Sequence, residues 1–570
     1  MQGYAYTIFA GDQVEKFDLE VIGILPNLMG PKHSIILVEL KGPKVEHTGV
    51  VAGMSGSPVY IEGKLAGALS LKFGIFTKEP LAGVTPIEDI LEVRPATDKP
   101  RTETAEAAAP TEAAAVSEGS GAAEGAAIKE YGVPADIAQR AGLGAGAYLA
   151  PIETPLVFSG FHPAALSRYA GEFAGYGMVA TQGGTAAPQK DDAHIQPGDM
   201  VGMVLVQGDL SIHAACTVTA LVGDQVYVCG HPLFGFGAVS MPMARGRVLT
   251  TLSSDLDSTK IVNVGGTIGA FDQDRVTGVM GHLGTAPGLI PIDMTVVTAA
   301  GDQHRAFRMV SNPKISPILM GIATLNGLIQ NSVYGEGTTL RLTGAIDITG
   351  HSSVTLQNLF APSDTFVPDG ASVSSAVQIV FQRIFSNPYE TAKIERVTLR
   401  MDALPDRRQT TIEGAWLDRS EAAPGDTVNV KVQLRPYRGS PVIRDVQVTI
   451  PPQAVRGTVM QVLASDSGTL NRMSVVSGSQ GRLQNLEQLI SVLNRERRNN
   501  RLYVTLLGPS PTMVVQDKVM PNVPASQINL LDQRGGPASS QLVRESAAGE
   551  WSVPLEQVVQ GSTSLTIRIK

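Results

Sequence analysis

Ser55 stands in "GMSGSP" (residues 53–58), after the apolar run "TGVVAGM" and before "PVYIEGKLAGALSL". Glycine takes backbone conformations closed to residues that carry a Cβ, so Gly53 and Gly56 permit a tight turn that presents one hydroxyl and several bare N–H groups. Such a turn suits a serine nucleophile. The hydroxyl would attack a carbonyl carbon, and the N–H groups of Gly53 and Ser55 would hold the oxyanion, each donor of this kind being worth about 3–4 kcal/mol in the transition state. A serine hydroxyl is a poor nucleophile near neutral pH and needs a general base within hydrogen-bond reach. The bland alternative is a turn in which Gly and Ser are the ordinary residues.

The base must come from elsewhere in the chain. His231, between Gly230 and Pro232, closes the strand-like run in "CTVTALVGDQVYVCGHPLFGFG". His282, in "MGHLG", is its rival, since it too follows an apolar run and lies between glycines, Gly281 and Gly284. His47 is only eight residues before Ser55, but one intervening strand would carry it away. His33, His162, His194, His213, His304 and His351 read as surface or packing residues. Asp274, in "FDQDRVTG", is the acid taken to orient the imidazole, with Asp272, Glu39 and the hydroxyl of Ser70 as alternatives and Asp255 and Asp257 as weaker ones. There is no CxxC pair and no HExxH, so neither a metal nor a cofactor is expected.

Elements able to position these residues follow from composition and periodicity. A chain of 570 residues, 43% hydrophobic and 17% charged, should fold into three or four domains. Sixty glycines, 36 prolines and many short Val/Thr/Ile alternations favour a mainly β architecture. A net charge of −8, with no basic stripe interleaved with aromatics, excludes a nucleic-acid platform. No apolar run reaches the roughly 18–20 residues of a membrane span. The opening "MQGYAYTIFAGDQVEKF" already reads as strand, as in a mature or trimmed form whose signal peptide is absent, and a secreted or periplasmic envelope location is expected. Cys216 and Cys229 flank a hairpin turn at "VGDQ", where a disulfide and two buried thiols are both open.

Residues 1–96 read as short strands of a barrel or sandwich, and 97–127, an Ala/Glu/Thr/Ser/Gly tract with little to bury, as a disordered linker. Residues 128–194 read as a small helical connection and 195–300 as a second β-rich stretch. Residues 301–390 read as a mixed α/β segment, in which Val373, Val377, Phe381 and Ile384 share one helix face. Residues 391–480 carry the alternation Val428, Val430, Val432, Leu434 and suggest an immunoglobulin-like sandwich. A helix with the stripe Leu486, Leu489, Ile490, Leu493 and further strands fill 481–570.

The two motif-bearing segments together resemble the SpoIVB-type serine peptidases. "DQVEKFDLEVIGILPN" followed by "TGVVAGMSGSPVYIEGKLAGAL" is similar to the family's nucleophile half, whose serine matches Ser55, and "CTVTALVGDQVYVCGHPLFGFG" is similar to its histidine segment, matching His231. The likeness covers roughly residues 3–93 and 195–290, about a third of the chain. It implies a chymotrypsin-like double β-barrel core assembled from two segments, hydrolysis of a protein or peptide substrate, and an envelope-type protein. The serine segment precedes the histidine segment, the reverse of the sporulation enzyme's order, as in a circular permutation. The family's upstream aspartate falls on Leu40, beside Glu39, and no PDZ-like domain is visible. Those departures sustain a second expectation: a non-catalytic envelope scaffold on a peptidase-like core, with partners engaged through the C-terminal β region.

Overall fold

The computed structural model describes residues 1–73, 79–94, 130–140, 146–184, 194–254, 258–284, 286–330, 337–362, 369–476, 483–508, 512–515, 518–520, 526–527, 540–543 and 546–570. The linker expected at 97–127, and with it Asp255 and Asp257, lies outside these residues. The chain divides into two compact units, Met1–Leu289 with Phe307–Asn312, and Ile290–Ala306 with Pro313–Lys570.

The first unit opens with strands β1 (Gln2–Thr7), β2 (Glu15–Gly30) and β3 (His33–Lys41), helix α1 (Pro43–Thr48), then β4 (Pro58–Ile61), β5 (Lys64–Phe73) and β6 (Leu81–Pro86). These strands are hydrogen-bonded in the order β4-β1-β2-β3-β6-β5, and β4 pairs with β5, closing a six-stranded barrel. Closure leaves no bare strand edge around the ring. Its interior is filled by Leu19, Val38, Leu40, Val59, Leu69 and Val84 among others. Helix α2 (Ile87–Leu91) follows, where "TPIEDILEV" predicts a helical turn.

Among the described residues, six further elements occupy the region read as a helical connection: β7 (Tyr131–Gly132), α3 (Ala135–Arg140), β8 (Tyr148–Pro151), β9 (Thr154–Ser159), α4 (Pro163–Ala174) and β10 (Met178–Gln182). That expectation is corrected, because β7 and β8 extend the first sheet past β5 while β9 and β10 extend the second. The strands escape sequence reading because "YLAP" and "TPLVFS" are too short to display a period, and β9 is buried along nearly all its length.

The second barrel is built from β11 (Met200–Gly208), β12 (Ser211–Val222), β13 (Gln225–Val228), β14 (Gly237–Leu252), β15 (Thr259–Arg275) and β16 (Gly278–Leu283). Its order is β12-β13-β16-β15-β14-β11, and β11 pairs back onto β12. Two closed six-stranded barrels drawn from separate chain segments thus form one unit, as the double-barrel expectation requires. The boundary placed at 300 moves to 289, since Ile290–Thr298 pairs with Ile394–Leu404 in the second unit.

The second unit holds two layers of different kind. In one, Thr339–Ile348 pairs with Val354–Phe360 and with Ile394–Leu404, while helices Ser316–Gln330 and Asp369–Phe385 pack on each other. Val373, Val377, Phe381 and Ile384 are all fully buried, as their spacing predicts. The other is a two-sheet β-sandwich. Strands Gln409–Leu417, Thr427–Pro436, Val442–Thr449 and Val558–Gln560 form one sheet; Glu421–Ala422, Val459–Ser465, Arg501–Gly508, Ser546–Pro554 and Ser562–Ile569 form the other. Val430, Val432, Val448, Val462, Val504 and Ile567 interdigitate between them. The range 391–480 is therefore corrected: the sandwich excludes Ile394–Leu404 and needs the C-terminal strands, which no local pattern ties to the strands around Val430.

The amphipathic helix runs over Leu486–Arg495 with all four stripe residues buried, and the side chain of Asn485 caps it by accepting a hydrogen bond from the Gln488 N–H at 2.9 Å. Asn485→Ala leaves that donor without its cap and should lower the unfolding free energy of this unit by about 1 kcal/mol, read as a shift in urea midpoint at unchanged slope.

Candidate active site

The serine turn of the first barrel is seated on the second. After α1 the chain runs out through Val51 and Ala52; the Ala52 N–H donates to the Ser258 carbonyl at 2.8 Å, and the Ala52 carbonyl accepts from the Lys260 N–H at 3.1 Å. Thr217 of β12 then grips the turn at two points. Its N–H donates to the Ser55 carbonyl at 2.9 Å and its hydroxyl to the Gly53 carbonyl at 3.1 Å. Thr219 adds a third bond, to the Gly56 carbonyl at 2.8 Å. Gly56 has φ +92°, and a Cβ there would lie 2.1 Å from the Thr217 carbonyl oxygen and 2.6 Å from the Cys229 nitrogen. Only glycine permits so close an approach of the two backbones.

The histidine segment arrives at the same place. The Leu69 carbonyl of β5 accepts the Gly56 N–H at 2.8 Å, and it also borders Gly230, where a Cβ would stand 3.5 Å from it. The Gly230 carbonyl accepts a hydrogen bond from the Thr85 hydroxyl at 2.8 Å. The Thr85 hydroxyl also lies 2.7 Å from Ser70 Oγ, and the Ser70 hydroxyl in turn reaches the Gly83 carbonyl at 3.3 Å. Cys216 and Cys229 form a disulfide, settling the alternative left open by the sequence. Its Cys216 Sγ is 3.7 Å from Ser55 Oγ.

The His231 ring is buried, and its Nδ1 is 2.7 Å from the Pro232 carbonyl oxygen. A carbonyl can only accept, so Nδ1 carries the proton and Nε2 keeps a lone pair. Nε2 is buried without a hydrogen-bond partner among the described residues. Burial lowers the ring's pKa to about 4, opposed by the nearby carbonyls of Pro232 and Ile152. The imidazole is therefore neutral at pH 7, the form able to accept a proton. Ser55 Oγ faces the disulfide sulfur and has no hydrogen bond to a histidine among the described residues.

Two of the expected groups have other partners in this geometry. Asp274 has no hydrogen bond to the imidazole among the described residues. Its Oδ1 accepts the Leu233 N–H at 2.8 Å, and its Oδ2 those of Phe234 at 2.8 Å and Phe236 at 3.3 Å. The carboxyl is buried, which raises its pKa against the pull of those donors. It pins the loop that follows His231 and so positions the ring indirectly. The oxyanion pair is likewise incomplete, because the Gly53 N–H donates to the Glu153 carbonyl at 3.2 Å. Within the turn, Met54, Gly56 and Ser57 also spend their N–H groups on backbone carbonyls, leaving that of Ser55 without a backbone acceptor among the described residues.

The alternative acids and bases sort themselves as clearly. Leu40 lies in the core of the first barrel, and Glu39, on the opposite face of β3, pairs with Lys41. Ser70 is taken up by the Thr85 hydroxyl and the Gly83 carbonyl. Asp272 and His282 find each other, Nδ1 to Oδ2 at 2.6 Å. Strand β16 begins at Gly278, beside Val228 and Gly230, and His282 lies four residues further on, about 13 Å along the strand at about 3.3 Å per residue. His282 thus has an acid but sits away from the serine turn. His213 is a packing residue, with Nε2 on the Val262 carbonyl at 3.1 Å and its pKa lowered by burial to about 4.

Sequence reading misses Lys260. Its side chain is fully buried beneath the serine turn, with Cδ 3.4 Å from where a Gly53 Cβ would be. Nζ donates to the Thr7 hydroxyl at 2.7 Å, and no carboxylate lies within ion-pair distance among the described residues. Burial lowers its pKa to about 7. One signal was present: in "TKIVNV" the lysine shares its strand face with Val262, an inward position.

A pair of six-stranded barrels, with a glycine-turn serine of one lodged against a histidine loop of the other, is the core architecture of a double-barrel serine peptidase. Residues 2–87, which span the first barrel, match the family described as SpoIVB peptidase S55, and this supports the SpoIVB-type likeness. The matched stretch contains Ser55 and ends before His231 and Asp274. No curated protein and no solved structure matches the chain.

Proposed function

We propose that the chain is a serine endopeptidase with Ser55 as nucleophile and His231 as general base. The observation that carries this reading is the imidazole: Nδ1–H is held by the Pro232 carbonyl, and the unshared Nε2 lone pair sits in the loop that packs against the serine turn. In the productive state Ser55 Oγ turns from Cys216 to Nε2, which takes its proton as the oxygen attacks the peptide carbonyl. The resulting imidazolium returns the proton to the leaving amine, and water then releases the acyl group by the same route. The Pro232 carbonyl takes the orienting role that a carboxylate has in other triads. The Ser55 N–H supplies one oxyanion donor, and the Gly53 N–H becomes the second once substrate draws it from Glu153.

Ser55 has no exposed surface, so the described arrangement is a closed one, and substrate must open the turn to reach the hydroxyl. The same closure favours a second reading, a peptidase-like core that does no chemistry and serves envelope partners through the C-terminal β-sandwich. The disulfide fits a secreted or periplasmic location under either reading. A fluorophosphonate probe separates them. Covalent labelling of the wild type that disappears in Ser55→Ala supports the peptidase. Absence of labelling across a panel of unfolded protein substrates, or labelling that persists in Ser55→Ala, rejects it.

A further inference from the structure

The Cys216–Cys229 disulfide lies between the serine turn and the histidine segment. Cys216 is the residue whose sulfur meets Ser55 Oγ, at 3.7 Å. Its neighbour Thr217 holds the Ser55 and Gly53 carbonyls. Cys229 precedes His231 by two residues and adopts φ +69°, a left-handed conformation that L-residues other than glycine, Asn and Asp seldom take. Around the bond the β12–β13 ladder is weak. The Cys229 N–H reaches the Thr217 carbonyl only at 3.4 Å, and the register slips between Val218 and Ala220. The covalent link thus ties the strand that holds the serine turn to the segment that leads into the histidine loop, at the point where the ladder between them slips.

We propose that this disulfide is a positioning element of the serine site, fixing Ser55 against the His231 loop so that the site is competent only when the bond is formed. The proposal rests on the serine-peptidase reading for its kinetic consequence, but its structural content stands apart from it. Reduction by a dithiol proceeds through attack of one reductant thiolate on a cysteine sulfur, breaking the S–S bond and forming a mixed disulfide. The second reductant thiol then displaces the remaining cysteine. The reductant leaves as a cyclic disulfide, having given two electrons, and the two cysteine sulfurs take up two protons as thiols. Both cysteines are buried, so the bond persists until the turn opens.

The test compares oxidised wild type with the Cys216→Ala/Cys229→Ala double variant, and with wild type reduced by dithiothreitol as a second route to the same state. Two quantities are read: the rate of fluorophosphonate labelling, and amide hydrogen exchange at Ser55, Gly56, Gly230 and His231 relative to the barrel strands. Loss of the bond should slow labelling by about 100-fold, the scale of an ångström-sized misplacement of a reacting group. It should also speed exchange at those four amides at least about tenfold, with β11 and β15 protected as before. Labelling and exchange within twofold of the oxidised wild type would overturn the proposal. So would collapse of protection throughout the barrels in both the variant and the reduced protein, since the bond would then be a general brace. If the oxidised wild type is not labelled at all, the peptidase reading fails, and the exchange measurement still decides whether the bond positions the turn.

Discussion

On the proposed peptidase mechanism, His231→Ala should lower peptide cleavage by about 10⁴-fold or more while leaving the protein folded, because the serine would then lack an acceptor for its proton. The shape of the wild-type pH profile is the sharper measurement. An ordinary histidine base loses activity as pH falls through about 6.5. Here burial holds the ring neutral down to about 4, so the acid limb of kcat/KM should fall near pH 4. An acid limb near 6.5 would place the working base elsewhere than His231. The same ring also opposes folding in acid. Its folded-state pKa lies below the unfolded value, so the unfolded chain binds the extra proton between pH 6.5 and about 4. Stability attributable to this group is complete above about 6.5 and is lost as pH falls through that window. Each pH unit of depression is about 1.4 kcal/mol, so roughly 3 kcal/mol is at stake. His231→Ala should flatten the stability profile there by about that much, and His213 supplies a similar slope that remains in the variant.

What was legible in the sequence divides along a physical line. Features set by a local backbone requirement could be read: the glycine turn at 53–56, the stripe Leu486/Leu489/Ile490/Leu493, and the alternation through Val430. Each follows from allowed φ/ψ or from a single period. Features set by which distant strands meet could not. The sandwich around Val430 takes three of the five strands of its second sheet from beyond residue 500, and β9 joins β12 with no marker in "TPLVFS". The site shows the same division. Ser55 and Gly56 announce themselves, and the meeting of the serine and histidine segments was accessible through the resemblance. The role of Asp274 was not, since an aspartate that binds three N–H groups of a loop reads in sequence like one that orients a ring. The Gly53 N–H illustrates a further limit: a donor in the right turn can be taken by a carbonyl 100 residues away, that of Glu153.

Lys260→Met should stabilise the protein by several kcal/mol at pH 6, and that gain should shrink steadily as pH rises toward 10.5. The lysine is sealed beneath the serine turn with one neutral hydroxyl for company. A buried ammonium without a carboxylate is expensive, and the protein responds by favouring the neutral amine, lowering the pKa from 10.5 to about 7. At about 1.4 kcal/mol per pH unit this depression amounts to about 5 kcal/mol. Between about 7 and 10.5 the unfolded chain carries a proton that the folded chain has released, so wild-type stability climbs with pH across this window on account of Lys260. Below about 7 the amine is charged in both states and the full penalty stands. Methionine, similar in length and uncharged, fills the same space and should remove the slope. Urea midpoints for wild type and variant at pH 6, 8 and 10 provide the check; parallel curves at all three would mean that Lys260 keeps its charge in the folded state, through water or a partner reached by side-chain movement. The result also bears on chemistry. An amine that is half neutral near pH 7, packed against Gly53, would be a reserve proton acceptor only if Lys260→Met lowered cleavage with the turn intact. On the geometry described, with Nζ committed to Thr7 and the Nε2 lone pair of His231 unshared, cleavage should survive Lys260→Met and fail in His231→Ala.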